Sequence, residues 1–436
     1  MSSVFHRGAG DLPEARRAEG AAIWDAHGKR YLDAAGGAIV VGIGHGDSDV
    51  VAAMQEQARR VAYAHGTQFT SEALEQYATE LAPLLPMDEP RIYPVSGGSE
   101  AVETALKLAR AFHLSRGEPS RHKVIARTGS YHGNTLGALD ASGREPLRRP
   151  YAPWLGRALH VPAAYEYRCA LPTHPDGCGE RHAELLDRAI RDEGPETVAC
   201  FIAEPVVGAT LGAAVPPDDY WPAIQEVCRS HGVLLIADEV MTGFGRTGRW
   251  FGCEHWGVRP DILAAGKGAS SGYWPLGLTV ASGEVFESLE GTAFIHGFTF
   301  SHSPVGAAVG RAVLRKLRDG DLVQASHDKG ERLLKELMAE LADHPNVGDV
   351  RGMGLMIGIE LVQDRDSKTP FPRAKRATER VVAAAKDAGL LLYPSTGCAD
   401  GTDGDLVMLG PPFVITEDEM TEAVDKAAAA LRTLTD

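Results

Sequence analysis

The chain has 436 residues, 44 Lys plus Arg against 59 Asp plus Glu, and a formal net charge of −15, which disfavours a surface that grips nucleic acid or anionic lipid through bulk charge. Hydrophobic residues at 44% and charged residues at 24% give a globular balance, with neither disorder nor a membrane class suggested, and the length suits two or three domains. The outlier is glycine, 49 residues against a usual share of about 7%; without a collagen period, it points to tight turns and to backbone that approaches a ligand.

Along the chain, Met1–Gly20 carries Asp11, Glu14, Arg16 and Arg17 and no apolar stretch of the kind a signal peptide needs. No run approaches the ~18 apolar residues of a membrane span. Six cysteines in so long a chain are too sparse for a disulfide framework, so the expected compartment is the reducing cytoplasm. Ala22–Leu32 reads as a hairpin turning at His27-Gly28, followed by a glycine-rich stretch from Gly36 to Gly46. Between Ser99 and Ser115, apolar Ala101, Val102, Ala105, Leu106, Ala109 and Phe112 recur at helical spacing.

Short apolar runs then follow at Val198–Ala203, Val233–Ala237, Ile262–Ala265 and Leu278–Ala281, with helical segments at Arg181–Glu193 and Tyr220–Ser230 between them. This alternation predicts an α/β domain with a largely parallel, buried sheet. Beyond Leu314 a long helix (Ala325–Leu341), two strand-like runs (Gly354–Leu361 and Leu390–Tyr393) and two helices (Arg373–Ala388 and Glu417–Leu434) predict a smaller α+β domain, completed by the N-terminal hairpin. The expected division is an N-terminal segment over 1–60, a large domain over 61–320 and a small C-terminal domain over 321–436.

Three motifs carry chemistry. Val233–Val240 is an apolar strand that ends in two adjacent carboxylates, Asp238 and Glu239, at the edge where open α/β sheets place ligands. Alone, such an Asp is as often a turn cap. Lys267 follows another short strand and is flanked by Gly266 and Gly268; partial desolvation there lowers a lysine pKa toward that of a nucleophilic amine. Gly97, Gly98 and Ser99 open the amphipathic helix with free N–H groups and a hydroxyl, a ready phosphate site or an ordinary N-cap. Gly243-Phe-Gly-Arg-Thr-Gly248 satisfies a dinucleotide fingerprint but opens no helix and is discounted. Cys169 and Cys178, with His174 and His182 nearby, lack zinc-finger spacing and are read as loop thiols, so no metal is expected.

Together these motifs resemble the class III, or omega, aminotransferases of pyridoxal-phosphate fold type I. The likeness covers nearly the whole chain: Tyr31-Leu-Asp33, Ser96-Gly-Gly-Ser-Glu-Ala101, Tyr131-His-Gly133, Ala203-Glu-Pro205, Ala237-Asp-Glu-Val240, Ala265-Gly-Lys-Gly268, His296-Gly-Phe-Thr299 and Gly410-Pro-Pro-Phe413. It implies pyridoxal 5′-phosphate as cofactor, bound to Lys267 as a Schiff base, with the released lysine shuttling a proton. It implies that Asp238 keeps the pyridine nitrogen protonated, that Tyr131 stacks on one ring face and Val240 on the other, and that His132 belongs to the cofactor-binding set. Gly98 and Ser99 would bind the phosphate, joined by Thr299 from the second subunit of a homodimer; Glu204 would position the ring or a nearby arginine.

The implied activity is transfer of an amino group from a primary amine or omega-amino acid to pyruvate or 2-oxoglutarate by a ping-pong mechanism. The alternatives are an aminomutase, a decarboxylating transaminase, or a non-catalytic sensor of the cofactor; the first 30 residues are too few for the DNA-binding appendage of such a sensor. The sequence departs from the family in one respect. Many members carry a substrate-carboxylate arginine after the last strand of the small domain, whereas Leu391–Asp405 holds no Arg or Lys, and the only arginine after Arg380 is Arg432. Ala38 and Ile39 replace two large aromatics and are expected to leave room for a bulky or long amine.

Overall fold

The structure is a computed structural model that describes residues 3–7, 12–171, 178–292 and 294–435. Its centre is a seven-stranded sheet in the order Arg91–Val95, Gly277–Ala281, Ile262–Ala265, Leu234–Glu239, Val198–Ala203, Lys123–Arg127, Ala158–Val161. The strands from Ile262–Ala265 to Ala158–Val161 run parallel to one another, and Gly277–Ala281 is antiparallel to both of its neighbours. The mostly parallel sheet is as expected; the antiparallel strand is the local exception.

Period-two alternation explains why these apolar runs are strands buried on both sides. Phe201, Ala203, Leu235, Leu263 and Ala265 join one apolar cluster with Tyr220, Trp221 and Ile224 of the helix Tyr220–His231. Their neighbours Ile202, Leu234, Ile236, Ile262 and Ala264 join a second cluster with Ala101, Val102, Ala105 and Phe112 of the helix Gly98–Ser115. That helix packs over Ile262–Ala265 and Gly277–Ala281. A Cβ on Gly277 would lie 2.4 Å from the Gly97 carbonyl oxygen, so glycine lets this strand pass beneath the turn that opens the helix.

A second, antiparallel sheet runs Val347–Gly352, Ile357–Asp364, Asp405–Leu409, Tyr393–Thr396. It lies with the helices Leu322–Glu340, Ala377–Asp387 and Glu417–Leu431. The N-terminal strands Ala15–Glu19, Ala22–Asp25 and Arg30–Leu32 form a third sheet, containing the expected hairpin. Leu32 bridges Leu390, and Arg30 pairs with Glu419 at 3.0 Å and Glu422 at 2.9 Å, which ties the hairpin to the C-terminal elements.

Several boundaries differ from the sequence reading. The helix expected over Arg373–Ala388 is interrupted at Arg376, whose φ of 51° is left-handed. The run at Leu390 is a single bridge, and the strand begins at Tyr393. Among the described residues no helix is long and apolar enough to cross a membrane.

Candidate active site

Lys267 and Asp238 come together because their strands are adjacent and parallel. In the register Asp238 faces Ala264 and Glu239 faces Ala265, so Lys267, two residues beyond Ala265, emerges at the same carboxyl-end edge. Lys267 is partly buried, with a left-handed φ of 35°. Burial pushes its ammonium below the ordinary lysine value, while the carboxylates of Asp238 and Glu204 pull the other way. Its amine makes no hydrogen bond or ion pair among the described residues, and it remains available as a nucleophile.

The paired carboxylates of the sequence are not a pair in space. Asp238 turns to the site, where its Oδ2 accepts from Nδ1 of His132 at 2.6 Å and its Oδ1 accepts from the Val240 amide at 3.0 Å. Glu239, on the opposite face of the strand, is fully buried and accepts from the Thr242 hydroxyl and from the amides of Gly252 and Cys253 at 2.8 Å each. It anchors the 242–253 loop, and burial raises its carboxyl above the usual range against those hydrogen bonds.

The segment after Lys123–Arg127 brings up the remaining residues. The His132 amide donates to Ser142 Oγ at 2.8 Å, and His132 Nε2 is buried without a hydrogen-bond partner among the described residues. Glu204 accepts from the Tyr131 amide at 3.0 Å through Oε1 and pairs with Arg127 at 3.2 Å through Oε2. Arg127 is 1% exposed and lies beside Tyr220 and Trp221, each 5.8 Å from its guanidinium carbon. One carboxylate therefore fixes both the buried arginine and the backbone that presents Tyr131. The Tyr131 hydroxyl accepts from Asn134 Nδ2 at 2.9 Å, and burial raises its pKa.

The helix opening is shaped as an anion cradle. Its N-cap, Gly97, offers no capping side chain, and the first-turn amides have no intrahelical acceptor. Ser99 Oγ accepts from the Asn134 amide at 3.1 Å, which leaves its own O–H free to donate. A Cβ on Gly98 would meet Val240 Cγ1 at 2.7 Å, and one on Gly266 would meet the backbone of Gly98 at 3.5 Å. Gly98, Val240 and Gly266 thus form one wall between Lys267 and the helix terminus. An aldehyde-bearing ring with a phosphate tail fits this donor set: a free amine at one end, a carboxylate held by His132 behind it, and amides with a hydroxyl at the other.

Thr299 is not brought to this cluster within the single chain; it sits in an exposed turn, beside Phe300 at 66% exposure. Ala38 is exposed, and Ile39, in a left-handed conformation (φ 57°), is buried with Val206, Met356 and Met408. The 42–43 backbone beyond it is held by Ser271 Oγ, which accepts from the Gly42 and Ile43 amides at 2.9 and 3.1 Å.

Nor are Cys169 and Cys178 both loop thiols. Cys178 opens the helix Cys178–Glu193, with its sulfur 3.4 Å from that of Cys169, itself 3.6 Å from His182 Nε2. His174 lies outside the described residues. Sequence reasoning missed Arg127, Asn134, Ser142 and Ser271. None stands in a spacing pattern that marks it, and their proximity to the site exists only after the loops fold back on the sheet.

The family described as aminotransferase class-III matches residues 7–431. The chain is 40% identical over 414 residues to the uncharacterized aminotransferase YodT of Bacillus subtilis, covering 94% of this chain and 93% of that protein. It is 34% identical over 420 residues to the putrescine–pyruvate aminotransferase of Pseudomonas aeruginosa, covering 95% and 89%. Among solved structures, a thermostable (S)-enantioselective omega-transaminase from Thermomicrobium roseum superposes with a TM-score of 0.92 at 39% identity, over 98% of this chain and 93% of that one.

Proposed function

Because the chain belongs to the class III aminotransferase family and is an amino-transferring enzyme, we propose that it moves the amino group of a primary amine or omega-amino acid to a 2-oxo acid in two half-reactions at Lys267. The observation that carries this reading is the meeting of Lys267, with its lowered pKa, and the His132-held Asp238 at the ends of adjacent strands. The relative named for putrescine and pyruvate supports a primary amine as donor and pyruvate as acceptor, with 2-oxoglutarate the second candidate.

Members of this family use pyridoxal phosphate, which when bound supplies the carbonyl that takes up the amino group and a ring that draws electrons from the substrate carbon. In this chain Lys267 would hold the cofactor and serve as the base that moves the proton at the substrate carbon. Asp238, oriented by His132, would stabilise the protonated ring nitrogen. Tyr131 and Val240 would pack against the ring. Gly98 and Ser99 bind the phosphate through amides and hydroxyl, joined by Thr299 of the partner subunit in a homodimer; its exposure in the single chain suits a residue donated across an interface. Glu204 acts through Arg127 and the Tyr131 backbone.

The cytoplasm is the proposed compartment, in keeping with six free cysteines. The test is a panel of amines and omega-amino acids, each assayed with pyruvate and with 2-oxoglutarate. Turnover that depends on an oxo acid supports the proposal. Conversion without any acceptor assigns an aminomutase, and release of carbon dioxide assigns a decarboxylating transaminase.

A further inference from the structure

Several buried and half-buried arginines among the described residues find carboxylates or several carbonyls. Arg127 has Glu204 at 3.2 Å, Arg351 and Arg168 share Glu360 at 2.9 and 2.6 Å, and Arg148 faces Asp140 at 3.7 Å. Arg246 donates instead to the carbonyls of Leu355, Pro411 and Val41. Arg144 has neither kind of partner among the described residues. It is partly buried, donates from Nη2 to the neutral Ser395 hydroxyl at 3.2 Å, and its Nε is buried with no hydrogen-bond partner among the described residues.

Arg144 stands two residues beyond Ser142, whose hydroxyl accepts from the His132 amide at 2.8 Å. Its charge is within electrostatic reach of the Tyr131 and Tyr393 hydroxyls, and burial makes the charged form less favourable than in water. With Thr128, Gly129, Thr396 and Cys398 it lines a cavity of about 410 Å³. Two acids on the same wall are already engaged: Glu145 is exposed and faces Arg149 at 3.8 Å, and Asp400 Oδ1 accepts from the amides of Thr402 and Asp403 at 2.8 and 2.7 Å. A planar fork of donors that the protein leaves unfilled matches a carboxylate geometrically and electrically.

We propose that Arg144 binds the carboxylate of the oxo-acid acceptor. It reaches from the turn before Glu145–Arg148 to the strand Tyr393–Thr396, within the segment Leu391–Asp405 that has no cation of its own. The inference rests on the transaminase reading and deepens it, by making the acceptor subsite selective for acids over aldehydes of the same length.

The test compares pyruvate with propanal as acceptors for one amine donor. In Arg144→Gln the ratio of kcat/KM for pyruvate over propanal falls about ten- to a hundredfold, as loss of a charge-assisted hydrogen bond implies, mainly through KM. Arg144→Lys retains part of the ratio. Arg7→Gln is the control, because Arg7 is exposed yet also within electrostatic reach of Tyr131, and it keeps the wild-type ratio. Calorimetric titration of propanoate gives a readout without turnover: binding to wild type is weakened in Arg144→Gln. A ratio and a propanoate affinity unmoved by Arg144→Gln, or moved as much by Arg7→Gln, overturn the assignment. Failure of the transaminase reading looks different, since wild type then turns over neither acceptor while propanoate binding still depends on Arg144.

Discussion

His132 donates from Nδ1 to Asp238 Oδ2 across 2.6 Å, and both side chains are almost wholly buried. The imidazole therefore fixes the direction of the carboxylate before any ligand arrives. We expect Asp238→Asn to lower kcat/KM about 10²- to 10³-fold, the cost of removing a preorganised electrostatic group. His132→Ala, which leaves the charge but loosens it, should cost about ten- to a hundredfold. Steady-state kinetics on variants with unchanged circular dichroism checks both, and an Asp238→Asn enzyme of full activity would contradict the role.

Gly98 packs so closely on Val240 that an added Cβ falls 2.7 Å from Cγ1 and 3.1 Å from Cγ2. Gly98→Ala should displace the helix opening or the valine and weaken cofactor binding about tenfold or more, on the scale of overpacking costs of about 1–3 kcal/mol. Adding Val240→Ala removes both methyl groups and should recover part of the loss. Equilibrium titration of the cofactor, followed by absorbance, measures the two effects.

Glu204 is the one carboxylate paired with the buried Arg127 among the described residues. In Glu204→Gln the amide still reaches the Tyr131 backbone but no longer neutralises the guanidinium, and leaving a buried charge uncompensated costs about 3 kcal/mol or more. Urea denaturation of the cofactor-free protein should show a lower midpoint for this variant, and an unchanged midpoint would mean that the pair is solvated.

For Lys267 the sign of the pH dependence follows from the direction of its shift. Burial lowers the folded-state pKa below the ordinary 10.5; between those two values the unfolded chain binds more protons, and stability rises with pH. The burden is full below the folded-state value and is relieved as pH rises through the window. In the cofactor-free protein Lys267→Met should therefore be more stable than wild type at pH 7, by a margin that shrinks on going to pH 9.5. A margin that grows with pH would show that the lysine pKa is raised instead.

Legibility of the fold followed the strength of local periodicity. The fully apolar runs Val198–Ala203 and Ile262–Ala265 were readable to the residue, because strands covered by helices on both faces need no polar alternation. Arg91–Val95, Lys123–Arg127 and Ala158–Val161 went unread. They carry proline, charged ends or histidine, and their places depend on pairing with distant strands.

At the site, the Gly97–Ser99 turn, Asp238 and Lys267 stand at strand or helix ends, where sequence order alone marks them. The division of labour between Asp238 and Glu239 needed the pleat to be seen. Arg144 was not legible at all: its significance lies in the partners it lacks, and a sequence does not show which charges are left unmatched after folding.

The account stands most directly on the spectrum of the cofactor-loaded protein. Adding a primary amine alone should shift the visible absorbance band, and adding pyruvate or 2-oxoglutarate should then restore it, with neither change in Lys267→Ala. A band that ignores the amine in wild type, or a Lys267→Ala protein that completes the cycle at the wild-type rate, would contradict amino transfer at Lys267.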